Sequence, residues 1–269
     1  MFAHPKVFRI GGMGGAGGGL TGEAMPSGFA ALDAELAGGG WQRPGLTEIL
    51  CNHVGIGELS LLLRGLGAGS SDVRPGHPNE SMHVLWVIPQ GQAWVPYAPA
   101  LAQHGVNLEH LAIVRARNTE DALWAAEQGL KSGTCRAVLL RLNETGCNPL
   151  SLRRLQQAAA AGNSLMWLLR PLDAAASPSP AGTRIVLQPA EAGTLRLELI
   201  KRRGLPQGKS LRLAARTLAC LAREAKPVRT TLSNGQAARW LDRMMGNPVP
   251  LTEPVTAGVR ERAFTRERG

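Results

Sequence analysis

Apolar positions along the chain follow two periods in succession. As far as about residue 170, short and mostly apolar runs alternate with stretches in which apolar residues recur every three or four positions. The runs at 46–51 (LTEILC), 83–88 (HVLWVI), 111–114 (LAIV), 137–140 (AVLL) and 164–169 (SLMWLL) are too short for helices. Glycine, proline or polar clusters bound them, so they predict buried strands. Between them the pattern predicts helices. Ser27 can cap a helix whose Phe29, Leu32 and Leu36 share a face and which glycines 38–40 stop. Further helices are predicted at 57–66 and 97–104. Asn118, with Asp121 three residues on, opens another, with Ala122, Leu123, Ala126 and Leu130 on one face. A helix at 149–161 is expected to turn Leu150, Leu155 and Ala158 inward and Arg153 and Arg154 outward, and Gly162 ends it. The polar stretches 67–81 and 173–182 read as surface loops.

From Arg184 the period becomes two: Ile185 and Leu187, then Leu195, Leu197 and Leu199, then Leu211 and Leu213. Such alternation predicts the strands of a meander. Strand–helix alternation followed by strands alone implies an α/β fold with a central, mainly parallel sheet flanked by helices and an antiparallel extension. The ends differ from this core. Val7, Phe8, Arg9 and Ile10 form a short strand-like segment tethered by the glycine-rich run at 11–19. Such a segment leaves its backbone groups unpaired unless it adds to a sheet edge, its own or a partner's; the other reading is a frayed terminus. Beyond residue 214 the chain offers a basic helix at 216–225, a break at Pro227, a further helix at 236–245 and a Pro/Arg-rich end whose composition predicts disorder. The expected division is a docking strand and linker at 1–25, a core at 26–214 and a basic region at 215–269.

Charge sharpens that division. Residues 1–200 hold 15 Lys/Arg and 15 Asp/Glu, whereas residues 201–269 hold 15 and 5, so the whole net charge of +10 lies in the last quarter. A localised cationic region is an electrostatic footprint for nucleic acid or another polyanion, the alternative being a solvated tail. Lys201, Arg202, Arg203, Lys209, Arg212, Arg216, Arg223, Lys226 and Arg229 are the candidate DNA-binding residues. Among 269 residues, 44% hydrophobic, no apolar run approaches the ~18 residues of a membrane span. The first ten residues lack the basic and apolar regions of a secretion signal. Cys51, Cys135, Cys147 and Cys220 show no paired spacing and the six histidines no ligand spacing, so neither a metal nor a disulfide framework is expected. A reducing cytoplasm fits, with the nucleoid as the place a DNA-binding chain would gather. Trp94 and Tyr97 flank an apolar loop and could stack on a base, although core packing is the simpler role.

The run at 46–51 leads into a tight turn containing Gly55 and Gly57 and then a helix, the outline of a phosphate-binding loop. The pattern G-x-x-x-x-G-K-[ST] falls on Asn52, Gly57, Glu58 and Leu59. Only the second glycine is present. Glutamate stands where lysine would hold a phosphate, and leucine where a hydroxyl would bind Mg²⁺.

In the order of its elements, residues 7–213 resemble the core of the RecA recombinase family. KVFRIG is similar to the strand by which one RecA protomer docks on its neighbour, PSGFAALDAELAGGG to the segment before the phosphate loop, and TEIL to the loop's strand. LRRLQQAAAAGNSLMWLLRP and LRLELIKRRG resemble later parts of that core. GGGW, GIGEL, PYAPAL, DALWAAEQ, LRRLQ and SPSPA, in that order, resemble the ImuA family of translesion-synthesis-associated proteins, RecA-like relatives grouped with the cell-division inhibitor SulA. The resemblance places Arg141 at the Walker B aspartate and Gln90 at the water-activating glutamate. A cation cannot hold Mg²⁺ there, and an amide is no general base. The charge-assisted bond missing at Glu58 is itself worth ~1.5–3 kcal/mol. The implied protein is therefore no enzyme and needs no cofactor. Glu58 and Arg141 face each other across the old pocket and could form a salt bridge in place of lysine, Mg²⁺ and carboxylate. The two DNA-binding loops of the family correspond to 144–149 and 172–183, both short. The resemblance implies an accessory of SOS-induced translesion synthesis with DNA, RecA and a polymerase-like protein as partners and no membrane. It leaves open a SulA-like inhibitor of cell division and a DNA-dependent ATPase.

Overall fold

The change of period at residue 184 falls on the last parallel strand of the sheet, and the chain reverses after it. The computed structural model describes residues 24–67, 73–74, 77–91, 96–142, 147–191, 193–206, 208 and 210–214, all within the first of two units into which the chain divides, Met1–Thr230. In chain order the elements are β1 (Ala24–Met25), α1 (Ala30–Asp33), β2 (Trp41–Gln42), β3 (Gly45–Leu50), α2 (Glu58–Gly67), β4 (Val73–Arg74), β5 (His77–Ser81), β6 (His83–Pro89), α3 (Ala98–Gln103), β7 (Leu111–Ala116), α4 (Thr119–Lys131), β8 (Cys135–Arg141), α5 (Pro149–Ala161), β9 (Leu165–Arg170), β10 (Thr183–Pro189), β11 (Thr194–Arg202) and β12 (Ser210–Ala214). Single 3-10 turns precede β7 (Leu108–His110) and follow β9 (Leu172–Ala176).

Eight strands form the central sheet in the order β12-β11-β10-β3-β9-β8-β6-β7. The pairs from β10 through β7 are parallel, and β11 and β12 add antiparallel. The fold is thus α/β, with a mixed and mostly parallel sheet flanked by helices and extended by an antiparallel pair, consistent with a RecA-like core. β3, β8 and β9 are buried along their whole length, which is why they read as mostly apolar runs.

Alternate residues of each strand serve opposite faces. On one face Ile49, Trp86, Leu139, Trp167, Ile185 and Leu197 join Leu32 of α1, Leu61–Leu63 of α2 and Leu101 of α3 in one core cluster. On the other, α4 lies so close that a Cβ on Gly129 would sit 2.3 Å from Leu85 Cδ2. Gln156 of α5 accepts the Leu46 amide at 3.1 Å, tying that helix to the start of β3. Asn118 and Asn148 cap α4 and α5 by accepting the amides of Asp121 and Ser151.

Several local expectations are corrected. Ser27 does not cap α1: the helix is a single turn whose N-cap is Phe29, and Ser27 Oγ accepts the Phe29 amide while its own amide donates to Asp33 Oδ1 at 2.8 Å. Leu150 is 66% exposed rather than inward. The inward stripe of α5 is Leu152, Leu155, Ala158 and Ala159, and Leu150, two residues before Leu152, lies about 200° round the helix from it. The stretch 67–81 holds the antiparallel β4–β5 pair instead of being loop alone. Among the described residues no helix is long and apolar enough to cross a membrane.

Candidate functional site

β3 delivers the chain to Cys51, a turn carries it through 52–57, and α2 begins at Glu58. Gly55 (φ +78°) and Gly57 (φ +112°) occupy backbone regions that side-chain-bearing residues avoid. This geometry aims their amides into the loop, as in the nests that bind anions. The anion is the chain's own. Glu58 Oε1 accepts the Gly55 amide at 3.0 Å, and Oε2 accepts the Gly57 amide at 3.2 Å. Arg141, the last residue of β8, donates from Nη2 to Glu58 Oε1 at 2.9 Å. Both side chains are buried, at 1% exposure for Glu58 and 5% for Arg141. The expected salt bridge between Glu58 and Arg141 is therefore present, and the carboxylate also takes amides of the kind that a phosphate loop offers to phosphate. The thiol of Cys51 lies 3.8 Å from both terminal nitrogens of Arg141. Its burial pushes the thiol pKa up, against the charge of Arg141, so it is a poor nucleophile.

The other residues aligned with the phosphate-loop pattern and its partner positions are dispersed. Leu59 is half-buried and packs against the main core cluster. Asn52 is exposed and its Oδ1 accepts the Leu172 amide at 2.8 Å, clasping the loop to the turn after β9. Gln90 lies in the exposed turn after β6, its amide bonded to Ala116 O at 2.8 Å.

A second buried ionic cluster lies under the same central strand, and sequence reasoning missed it. Glu48 of β3 is fully buried and receives Arg170 Nη1 of β9 at 2.8 Å and Arg184 Nε of β10 at 2.6 Å. Arg184 Nη2 also donates to Ala174 O at 2.6 Å, and Arg170 Nη2 to Cys147 O at 3.4 Å. No local signal marks this cluster, because its partners are 122 and 136 residues away from Glu48. Between α4 and α5, Glu127 receives both Lys131 and Arg154.

The candidate DNA-binding residues separate. Lys201, Arg203 and Arg212 are exposed, with Lys201 Nζ donating to Ser179 O at 2.7 Å. Arg202 is committed inside the fold: it pairs with Glu35 Oε2 at 2.6 Å and also donates to Glu35 O and Pro206 O. Lys209, Arg216, Arg223, Lys226 and Arg229 lie outside the described residues, as do Val7, Phe8, Arg9 and Ile10, and Trp94. Tyr97 packs against the main core cluster. Among the described residues no group of three His, Cys, Asp or Glu could hold a metal ion. No protein-family model matches the chain, and no curated protein matches it.

Proposed function

We propose that this chain is a non-catalytic, RecA-like accessory protein of damage-induced translesion DNA synthesis, as in the ImuA family it resembles. It binds DNA through its basic C-terminal region and contacts RecA, a polymerase-like partner, or both. The observation that carries the non-catalytic half is the Glu58 carboxylate seated on the loop amides of Gly55 and Gly57 and paired with Arg141. A nucleotide's phosphate would have to expel a buried, paired carboxylate from those donors, and would meet no lysine, no Mg²⁺-binding hydroxyl and no carboxylate at the end of β8. The DNA-binding half is supported by the +10 charge confined to residues 201–269. For docking, β7 is the last strand at one end of the sheet among the described residues, with half-buried Leu111, Ala112, Ile113 and Val114, and a strand such as Val7–Ile10 of another protomer, or a RecA strand, could extend it.

Three measurements test the reading. ATP hydrolysis should stay at background with and without single-stranded DNA; stimulated turnover would return the chain to the enzymes. In the full-length protein, reversing Arg216, Arg223, Lys226 and Arg229 to Glu should weaken DNA binding. The slope of log K against log salt should also flatten, by ~0.7–0.9 for each phosphate no longer neutralised. Unchanged affinity and slope would remove the C-terminal region from the account. Placing Asp at Phe8 and Ile10 should abolish RecA binding, and unchanged affinity would reject the docking strand.

A further inference from the structure

We infer that Glu58 is an internal latch: its carboxylate stands in for bound phosphate and holds the loop in the anion-occupied shape without nucleotide. This rests on the reading of a silent nucleotide site and goes further. A loop that had merely lost its lysine would leave inward amides to water or collapse away from them. Here the amides of Gly55 and Gly57 are separately taken up, by Oε1 and Oε2 of one carboxylate. Oε1 also receives Arg141 Nη2 from the end of a strand 83 residues on. The carboxylate thus joins three pieces of chain: the turn, the first residue of α2 and the end of β8. Charge is matched by one guanidinium, and the carboxylate sits at the positive end of α2. Because both charges belong to the chain, occupancy does not depend on nucleotide or Mg²⁺ concentration. The loop and the ends of β3 and β8 behind it stay in one state where a nucleotide-driven relative would cycle between two.

The latch predicts chemical rescue. Glu58→Ala removes a methylene and a carboxylate, the atoms of one acetate ion, and leaves the amides and Arg141 facing the vacated space. The melting temperature of the full-length variant should fall by on the order of 10 °C. Acetate should restore it in a concentration-dependent way, because a ligand that binds only the native state raises stability by mass action. Sodium chloride at equal ionic strength should not restore it, and wild-type protein should show no acetate response. A variant that melts like wild type, or that acetate and chloride affect equally, overturns the latch.

Amide hydrogen exchange on the wild-type chain gives an independent reading should the variant not fold. Gly55 and Gly57 should be protected in nucleotide-free buffer, with no change on adding ATP and Mg²⁺. Exchange at the rate of an exposed loop, or protection that appears only with ATP, overturns the latch. Hydrolysis of ATP by the wild-type chain would instead overturn the silent-site reading, and the latch with it.

Discussion

A double-mutant cycle on Glu58 and Arg141 separates what their ion pair contributes from what the carboxylate does for the loop. Glu58→Leu and Arg141→Met keep apolar volume near the original and remove one charge each. With 1% and 5% of the side chains exposed and a 2.9 Å separation, each single variant leaves the other charge buried without its partner, a loss of about 3–5 kcal/mol. If the two effects were independent, the double variant would lose about 6–10 kcal/mol, comparable to the whole stability of an ordinary domain at about 5–15 kcal/mol. A coupled pair behaves differently. Removing the second charge abolishes the penalty left by the first, and an apolar replacement of a buried pair is often neutral. In both the Glu58 variant and the double variant the amide of exposed Gly55 can turn to water, whereas that of buried Gly57 stays unsatisfied. Its desolvation costs about 1–3 kcal/mol. The double variant should therefore lie only about 1–3 kcal/mol below wild type, closer to it than either single variant, with a coupling energy of several kcal/mol. Urea denaturation reports all four proteins, provided the m-value stays constant across the cycle. Single-variant losses that add to within about 0.5 kcal/mol would show that the two residues do not act as a pair.

Three further outcomes follow from other interactions. Glu48→Ala should destabilise by at least the ~3–5 kcal/mol of a broken buried pair, since it strands two guanidinium groups; a loss under about 1 kcal/mol in urea would refute that. At Glu127, burial pushes the carboxyl pKa up, but Lys131 and Arg154 outweigh it and hold the group below its ordinary value of 4.5. Its contribution is then present above that value and lost as pH falls through the lower folded one, so Glu127→Gln should flatten the acid limb of a Tm-against-pH curve below about 4.5; parallel curves would reject the assignment. Arg203→Ala should weaken DNA binding and reduce the salt slope with little change in Tm, while Arg202→Ala, which breaks the ion pair to Glu35 at 2.6 Å, should lower Tm first; the reverse pattern would show that the two roles have been exchanged.

The sheet was legible because a strand buried on both faces is mostly apolar, and β3, β6, β8 and β9 read that way despite single buried charges such as Glu48. The degenerate loop was legible because its glycines and its glutamate fall within a few residues of one another. The Glu58–Arg141 pairing came from aligning two strand ends with the RecA resemblance, not from local pattern. What stayed hidden depends on distant partners or on phase within one helix. Glu48 looks like an ordinary polar residue in TEIL until Arg170 and Arg184 are brought against it. Arg202 sits in a basic string between Lys201 and Arg203, and nothing in that string announces its ion pair with Glu35, 167 residues away. Leu150 fits an apolar stripe by residue type but not by its angular position on α5.

β3 carries one buried glutamate and leads to another just beyond it. Glu48 lies within the strand, on the face opposite Ile49, and is held by arginines from the neighbouring strands β9 and β10. Glu58 lies past the strand, at the start of α2, and is held by an arginine from β8. The central strand and its loop are thus fixed to three other strands by charges that all belong to the chain. In a nucleotide hydrolase of this architecture, part of the charge at the loop arrives with substrate and metal, and its departure is what lets the loop move. Under the proposed function, Glu58 would supply that charge from within the chain and remove the driving force for such a cycle at this position. A chain of that kind would present one constant surface to the proposed DNA and protein partners. Changes in its activity would then be set by the abundance of the chain and of those partners rather than by nucleotide state.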